Sequence, residues 1–208
     1  MVTLGGMMKL FSIKENHVEL GVAGKTIFAT GRVNGKRFNA LPIVNIKVDQ
    51  KAFDKIHEDA DEDLEIEGRF NLYRDDELVI ENEAVELEIK GNFSTRFLLK
   101  TIGVKFEDKY DNRNRSLINP EQILPHHSLD KIKAIRLRNS GNDFEKTMVK
   151  DLSITQLAIN AGLDLDLTYG EPSLVFINNK FHGLLNIRTE ANTNGMAGLY
   201  DAKKVKLL

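Results

Sequence analysis

The sequence predicts an α+β chain, mostly antiparallel sheet with one main helix. Three observations carry that prediction. The stretch from Leu64 to Gly91, LEIEGRFNLYRDDELVIENEAVELEIKG, alternates apolar and charged residues. That period of two is the pattern of strands with one face wet. Asparagine turns, Asn34-Gly35 in RVNGKRF and Asn178-Asn179 in PSLVFINNKFHGLLNI, sit between strand-like runs. Tight hairpin turns need positive φ, which Gly and Asn adopt most readily. Finally, Phe144, Met148, Leu152 and Leu157 recur at helical spacing over about 144–161.

Taken in order, residues 1–40 read as a β-rich appendage, with VELGVAG and KTIFATGRV leading into the Asn34-Gly35 turn. PIVNIKV is the next strand, and QKAFDKIHED is a short helix with Phe53 and Ile56 on one side. The alternating stretch then turns at Asp75-Asp76, and a further strand continues through Leu98 to Phe106. The segment 108–128 is polar, holds Pro120 and Pro125, and reads as a long loop with one helical turn. KIKAIRLR is a strand with basic residues at Lys131, Lys133, Arg136 and Arg138. Asp143 suits the N-cap of the main helix and Gly162 its C′ position.

Composition limits the function classes. The chain has 208 residues, 41% hydrophobic and 29% charged, which suits one core-forming domain with a small appendage. A net charge of −2 gives no whole-protein field that favours nucleic acid. There is no cysteine, so disulfides, thiolate catalysis and cysteine zinc sites are excluded. The apolar runs are far too short for a membrane span. The first residues, MVTLGGMMKLFSIKENH, lack the basic and apolar regions of a signal peptide. The expectation is a cytoplasmic protein or a part of an assembled particle, or else a mature form or fragment.

Several stretches invite a chemical reading. Asp59, Asp61 and Asp63 alternate, but a calcium loop needs Gly and Glu where Leu64 and Phe70 stand, which leaves a solvated acidic edge. His126, His127 and His182 have no metal-ligand spacing. The turn KGNFST, Lys90 to Thr95, reads either as a connector between strands or as a phosphate nest. In the nest, Gly91 admits close backbone approach, and Asn92, Ser94 and Thr95 add donors. Arg136 and Arg138 read as an ordinary wet strand face or as the lining of a polyanion groove. RNSGND precedes the helix, where N–H groups favour anions, but Asp143 as cap would fill that place.

Three motifs stand in a recognisable order: EIKGNFSTRFLLKTIGVKF, IRLRNSGNDFEKTMVKD and SLVFINNKFHGLLNIRTE. In this the chain resembles the CotH family, the spore-coat protein H relatives that are atypical, kinase-like proteins. The resemblance runs from Leu41 to Glu190 and makes 41–208 a CotH-like domain. It implies a kinase-like fold with Lys90, Gly91, Asn92, Ser94 and Thr95 over nucleotide phosphates. It also implies that Lys100 reaches phosphate oxygens and that Arg136 and Arg138 hold charge. Lys150-Asp151 matches the Arg-Asp pair that opens the family's helix. Glu190 matches the family's L-R-E glutamate, so Glu190 and Asn192 are the implied metal ligands, and Glu190 and Asp201 the implied catalytic carboxylates. An active member would use ATP and magnesium to phosphorylate protein hydroxyls.

The departures point elsewhere. Asn192 and Asn194 stand where the family has further acidic residues; Asn ligates magnesium but adds no charge and cannot act as a base. The expectation is a degenerate module with a structural role in a coat, virion or surface assembly, with a protein partner or a further copy of itself. Its alternative is the active kinase.

Overall fold

A computed structural model of the chain describes backbone elements within 8–37, and residues 41–60, 62–74, 77–106, 119–125, 132–163, 165 and 167–190. Four strands, β1 (Met8–Ile13), β2 (Asn16–Ala23), β3 (Thr26–Val33) and β4 (Lys36–Arg37), form an antiparallel sheet in sequence order. Val33 pairs with Lys36; the turn expected at Asn34-Gly35 lies outside the described residues.

Seven further strands make a closed barrel: β5 (Ile43–Val48), β6 (Glu65–Arg74), β7 (Glu77–Lys90), β8 (Thr101–Phe106), β9 (Ala134–Arg138), β10 (Gly170–Ile177) and β11 (Lys180–Thr189). Strands β5 to β9 are laid down side by side, and the β10–β11 hairpin enters with β11 against β9. An odd ring cannot alternate direction all the way round, so one neighbouring pair must run parallel. That pair is β5 with β10, joined from Ile43↔Leu174 to Ile46↔Ile177.

Alternation then decides the core. Val44, Ile46, Phe70, Leu72, Val85, Leu87, Ile102, Val104, Ile135, Leu137, Val175, Leu185 and Ile187 point inward and are buried together. Each such side chain stabilises the fold by about 1.5–3 kcal/mol relative to exposure. Helix α1 (Gln50–Glu58) is capped by Asp49, whose carboxylate accepts from Ala52 N–H at 2.9 Å, and it buries Phe53 and Ile56. The short α2 (Pro120–Ile123) adds Ile123, followed by Leu124, to the same core. Arg74 fixes that segment through the carbonyls of Gln122 and Ile123 and the Glu171 carboxylate.

The predicted α+β arrangement with one main helix is therefore wrong. A closed barrel with short helices stands in its place, and the kinase-like fold implied by the resemblance falls with it. The helix expected over 144–161 is α3 (Lys150–Asn160) alone. Ser140, Glu145 and Met148 adopt φ of 69°, 61° and 59°, which no helix accommodates. Of the predicted stripe only Leu152 is buried, and Leu157 is exposed. The C-terminal expectation holds. Gly162 has φ +66°, and Gly162 N–H and Leu163 N–H donate to the carbonyls of Ile159 and Ala158 at 3.0 and 3.1 Å. That is the double capping pattern a left-handed residue permits.

Candidate functional site

The outward faces of β7, β8, β9 and β11 carry most of the barrel's charge. Register sets the rows: Glu86 opposite Lys105, Glu88 opposite Gly103, Lys90 opposite Thr101. Across the next seams, Gly103 stands opposite Arg136, Arg136 opposite Arg188, and Arg138 opposite Asn186. The period-two pattern predicts that such a face is wet. Instead Glu86 is 1% exposed, Glu88 8%, Arg188 5% and Glu190 4%. Buried charges persist only when paired, and here they are.

Lys105 is the hub of the first cluster. Its ammonium lies 3.0 Å from Glu86 and 3.3 Å from Glu88, and also contacts Glu65. Burial by itself lowers the Lys105 pKa, but the Glu65 hydrogen bond and the charges of Glu88 and Glu65 outweigh it and raise the value. Lys90 binds the other oxygen of Glu88 at 2.7 Å. Room for this crossing comes from Gly103, where a Cβ would sit 3.0 Å from Glu88 Cγ and 3.1 Å from Lys90 Cγ.

The second cluster joins β9, β11 and α3. Arg136 Nε donates to Glu190 Oε1 at 3.1 Å. Arg138 Nε donates to Asp151 Oδ2 at 3.1 Å, and Arg188 Nη1 lies 3.2 Å from the same oxygen. Arg188 Nη2 donates to the Thr168 carbonyl at 2.8 Å, whereas its Nε is buried without an acceptor. Burial, reinforced by the positive charge of Arg138, lowers the Arg188 pKa against the pull of Asp151. Beneath the ion pairs runs a neutral network. Asn139 binds Leu99, Thr101 and Gly141, and Ser140 Oγ donates to the Met148 carbonyl while accepting from Asn186 Nδ2 at 2.7 Å.

The predicted phosphate turn lies at one end of this face, between β7 and β8. Gly91 has φ +129°, and Phe93–Arg96 form a single 3₁₀ turn. The Asn92 carbonyl accepts from Thr95 N–H at 3.2 Å and from Thr95 Oγ1 at 2.5 Å. Thr95 is buried, Ser94 half-buried and Asn92 exposed. Lys100 folds back on the turn and donates to the Thr95 carbonyl at 2.6 Å and the Phe97 carbonyl at 3.1 Å. Phe97 stacks on Phe144 at 5.0 Å, which ties the turn to the segment after β9.

Thus the structure brings Lys90, Arg136, Arg138 and Glu190 onto one face and sets Gly91 to Lys100 at its end, each of the cations bonded within the chain. Asn192 and Asp201 lie outside the described residues. Among the described residues no three metal-ligating side chains converge. Helix α3 opens at Lys150-Asp151, as the motif implies. Asp143 is not its N-cap residue, which is Val149, but the Asp143 carboxylate accepts from Thr147 Oγ1 and from Lys150 N–H at 2.6 and 3.1 Å. The Thr147 hydroxyl first, then the N–H groups of Lys150 and Thr147, hold the Asp143 pKa below the usual value. Sequence reasoning missed Glu86, Glu88, Lys105, Asn186 and Arg188. The available signal was opposite charge at matching positions of neighbouring strands, which needs the register to be read.

No protein-family model matches the chain, and no curated protein matches it. Among the described residues, no helix is long and apolar enough to cross a membrane.

Proposed function

We propose that this chain is a β-barrel module that serves assembly, in a coat, virion or surface particle, and transfers no phosphoryl group. The observation that carries this reading is the internal commitment of the cations assigned to phosphate. Lys100 is spent on two carbonyls, Lys90 on Glu88, Arg136 on Glu190 and Arg138 on Asp151. A nucleotide would have to displace acceptors that are already in place and partly desolvated, which costs more than binding to waiting cations. Phosphoryl transfer depends on such pre-positioned charge.

Assembly is supported by exposed apolar side chains on and after α3. Ile154 and Leu157, 58% and 69% exposed, lie three residues apart on α3, and Leu163 and Leu165 follow exposed after its cap. The partner in this reading is another protein surface, a second copy of the chain or a different protein, with no nucleic acid and no membrane span. Sedimentation equilibrium of the full chain, with and without magnesium and ATP, tests it. The reading predicts association that Leu157→Glu weakens tenfold or more and that nucleotide leaves unchanged. A strictly monomeric chain at high concentration, with no partner in pull-downs, contradicts it.

A further inference from the structure

At the β10–β11 hairpin, α1 rests on β11 through three rings. Phe53 and His182 meet edge to face at 5.7 Å, His57 and His182 edge to face at 6.0 Å, and Phe53 and His57 lie 6.0 Å apart. Nε2 of His57 and Nε2 of His182 are both buried with no hydrogen-bond partner. The rings line a groove of about 280 Å³. Gln50 Oε1 accepts from Asn178 Nδ2 at 2.9 Å, so the start of α1 is held by the hairpin turn while its end is held by the imidazoles.

We propose that this junction is an acid-operated latch: protonation of His182 and His57 releases α1 from the hairpin, opening the groove and uncovering Phe53 and Ile56. A buried nitrogen without a partner costs a neutral imidazole something; an imidazolium there costs far more, as a buried unpaired donor carrying charge. The charged groups that face the pair are Asp54 and Glu58 of α1, Lys180 of β11 and Lys100 of the loop before β8. The carboxylates favour protonation of His57, but burial and Lys100 prevail and lower its pKa. His182 is lowered to about 4, by burial first and then by His57.

The sign follows from linkage. A released α1 leaves both imidazoles near their ordinary value of about 6.5. The docked form refuses protons that the released form accepts, so docking is fully favoured above about pH 6.5 and is lost as pH falls toward about 4.

Hydrogen exchange on the full chain, corrected for intrinsic rates, reads the latch. Between pH 7 and 4.5 the amides of residues 53–58 lose protection on the order of 50-fold relative to those of β6 and β7. His182→Phe, which keeps a ring and removes the His182 titration, reduces that loss to the part His57 contributes. NMR titration of the wild-type imidazoles gives an independent reading, with both protonating below the ordinary value and His182 at about 4. The proposal is overturned if His182 titrates near 6.5, if residues 53–58 stay protected at pH 4.5, or if His182→Phe loses protection as the wild type does.

Discussion

Strands β7, β8, β9 and β11 send Leu87, Val104, Leu137 and Ile187 inward and Glu88, Lys105, Arg138 and Arg188 outward, and water is kept from much of both sets. The inward set needs only apolar shapes that fill the barrel. The outward set needs each charge to meet its partner, because a buried ion left alone costs several kcal/mol. A face built that way is already occupied by its own groups. The comparison explains how a surface rich in lysine and arginine can be structural instead of receptive.

The inward face predicts the largest effect. Leu137→Ala opens a cavity in a fully buried position, and the expected loss is about 3 kcal/mol, read from the urea midpoint. A loss below about 1 kcal/mol would mean that the interior is loosely packed and that the two faces differ less than described.

The outward face predicts a smaller loss with a distinctive sign. Asp151→Ala leaves Arg188 buried beside Arg138 with no counterion, and the expected cost is about 2 kcal/mol, moderated because Asp151 is partly exposed. Adding Arg188→Met then recovers part of that loss, since the stranded charge is gone. Simple additivity of the two substitutions would show that the pair is not coupled and would remove the charge-commitment argument at this position.

Much of the local structure was legible in the sequence. Asn178 and Asn179 adopt φ of 50° and 65°, as the hairpin reading requires, and α1 buries Phe53 and Ile56 as its spacing implies. Gly162 ends α3 where a left-handed residue is needed. The barrel was not legible, because its closure depends on β5 meeting β10 in parallel across most of the chain. Nor was the burial of Glu86 and Glu88, since alternating glutamates read as solvent-facing until a neighbouring strand supplies Lys105. The helix expected over 144–161 failed at its start because Glu145 and Met148 take positive φ, a tertiary outcome that propensity does not foretell. The turn Lys90–Thr95 reads in the sequence as a connector or a phosphate nest; in the structure the Thr95 hydroxyl closes on the Asn92 carbonyl, and Lys100 on the carbonyls of Thr95 and Phe97.

Lys90, Lys100, Arg136 and Arg138 are each committed to a partner within the chain. Calorimetric titration of ATP into the full chain, with and without magnesium, and into Lys100→Ala, tests this commitment most directly. With these cations committed, no binding heat is expected up to millimolar ATP under any of these conditions. Magnesium-dependent binding that disappears in Lys100→Ala would show that the lysine exchanges its carbonyls for phosphate and is not committed to them.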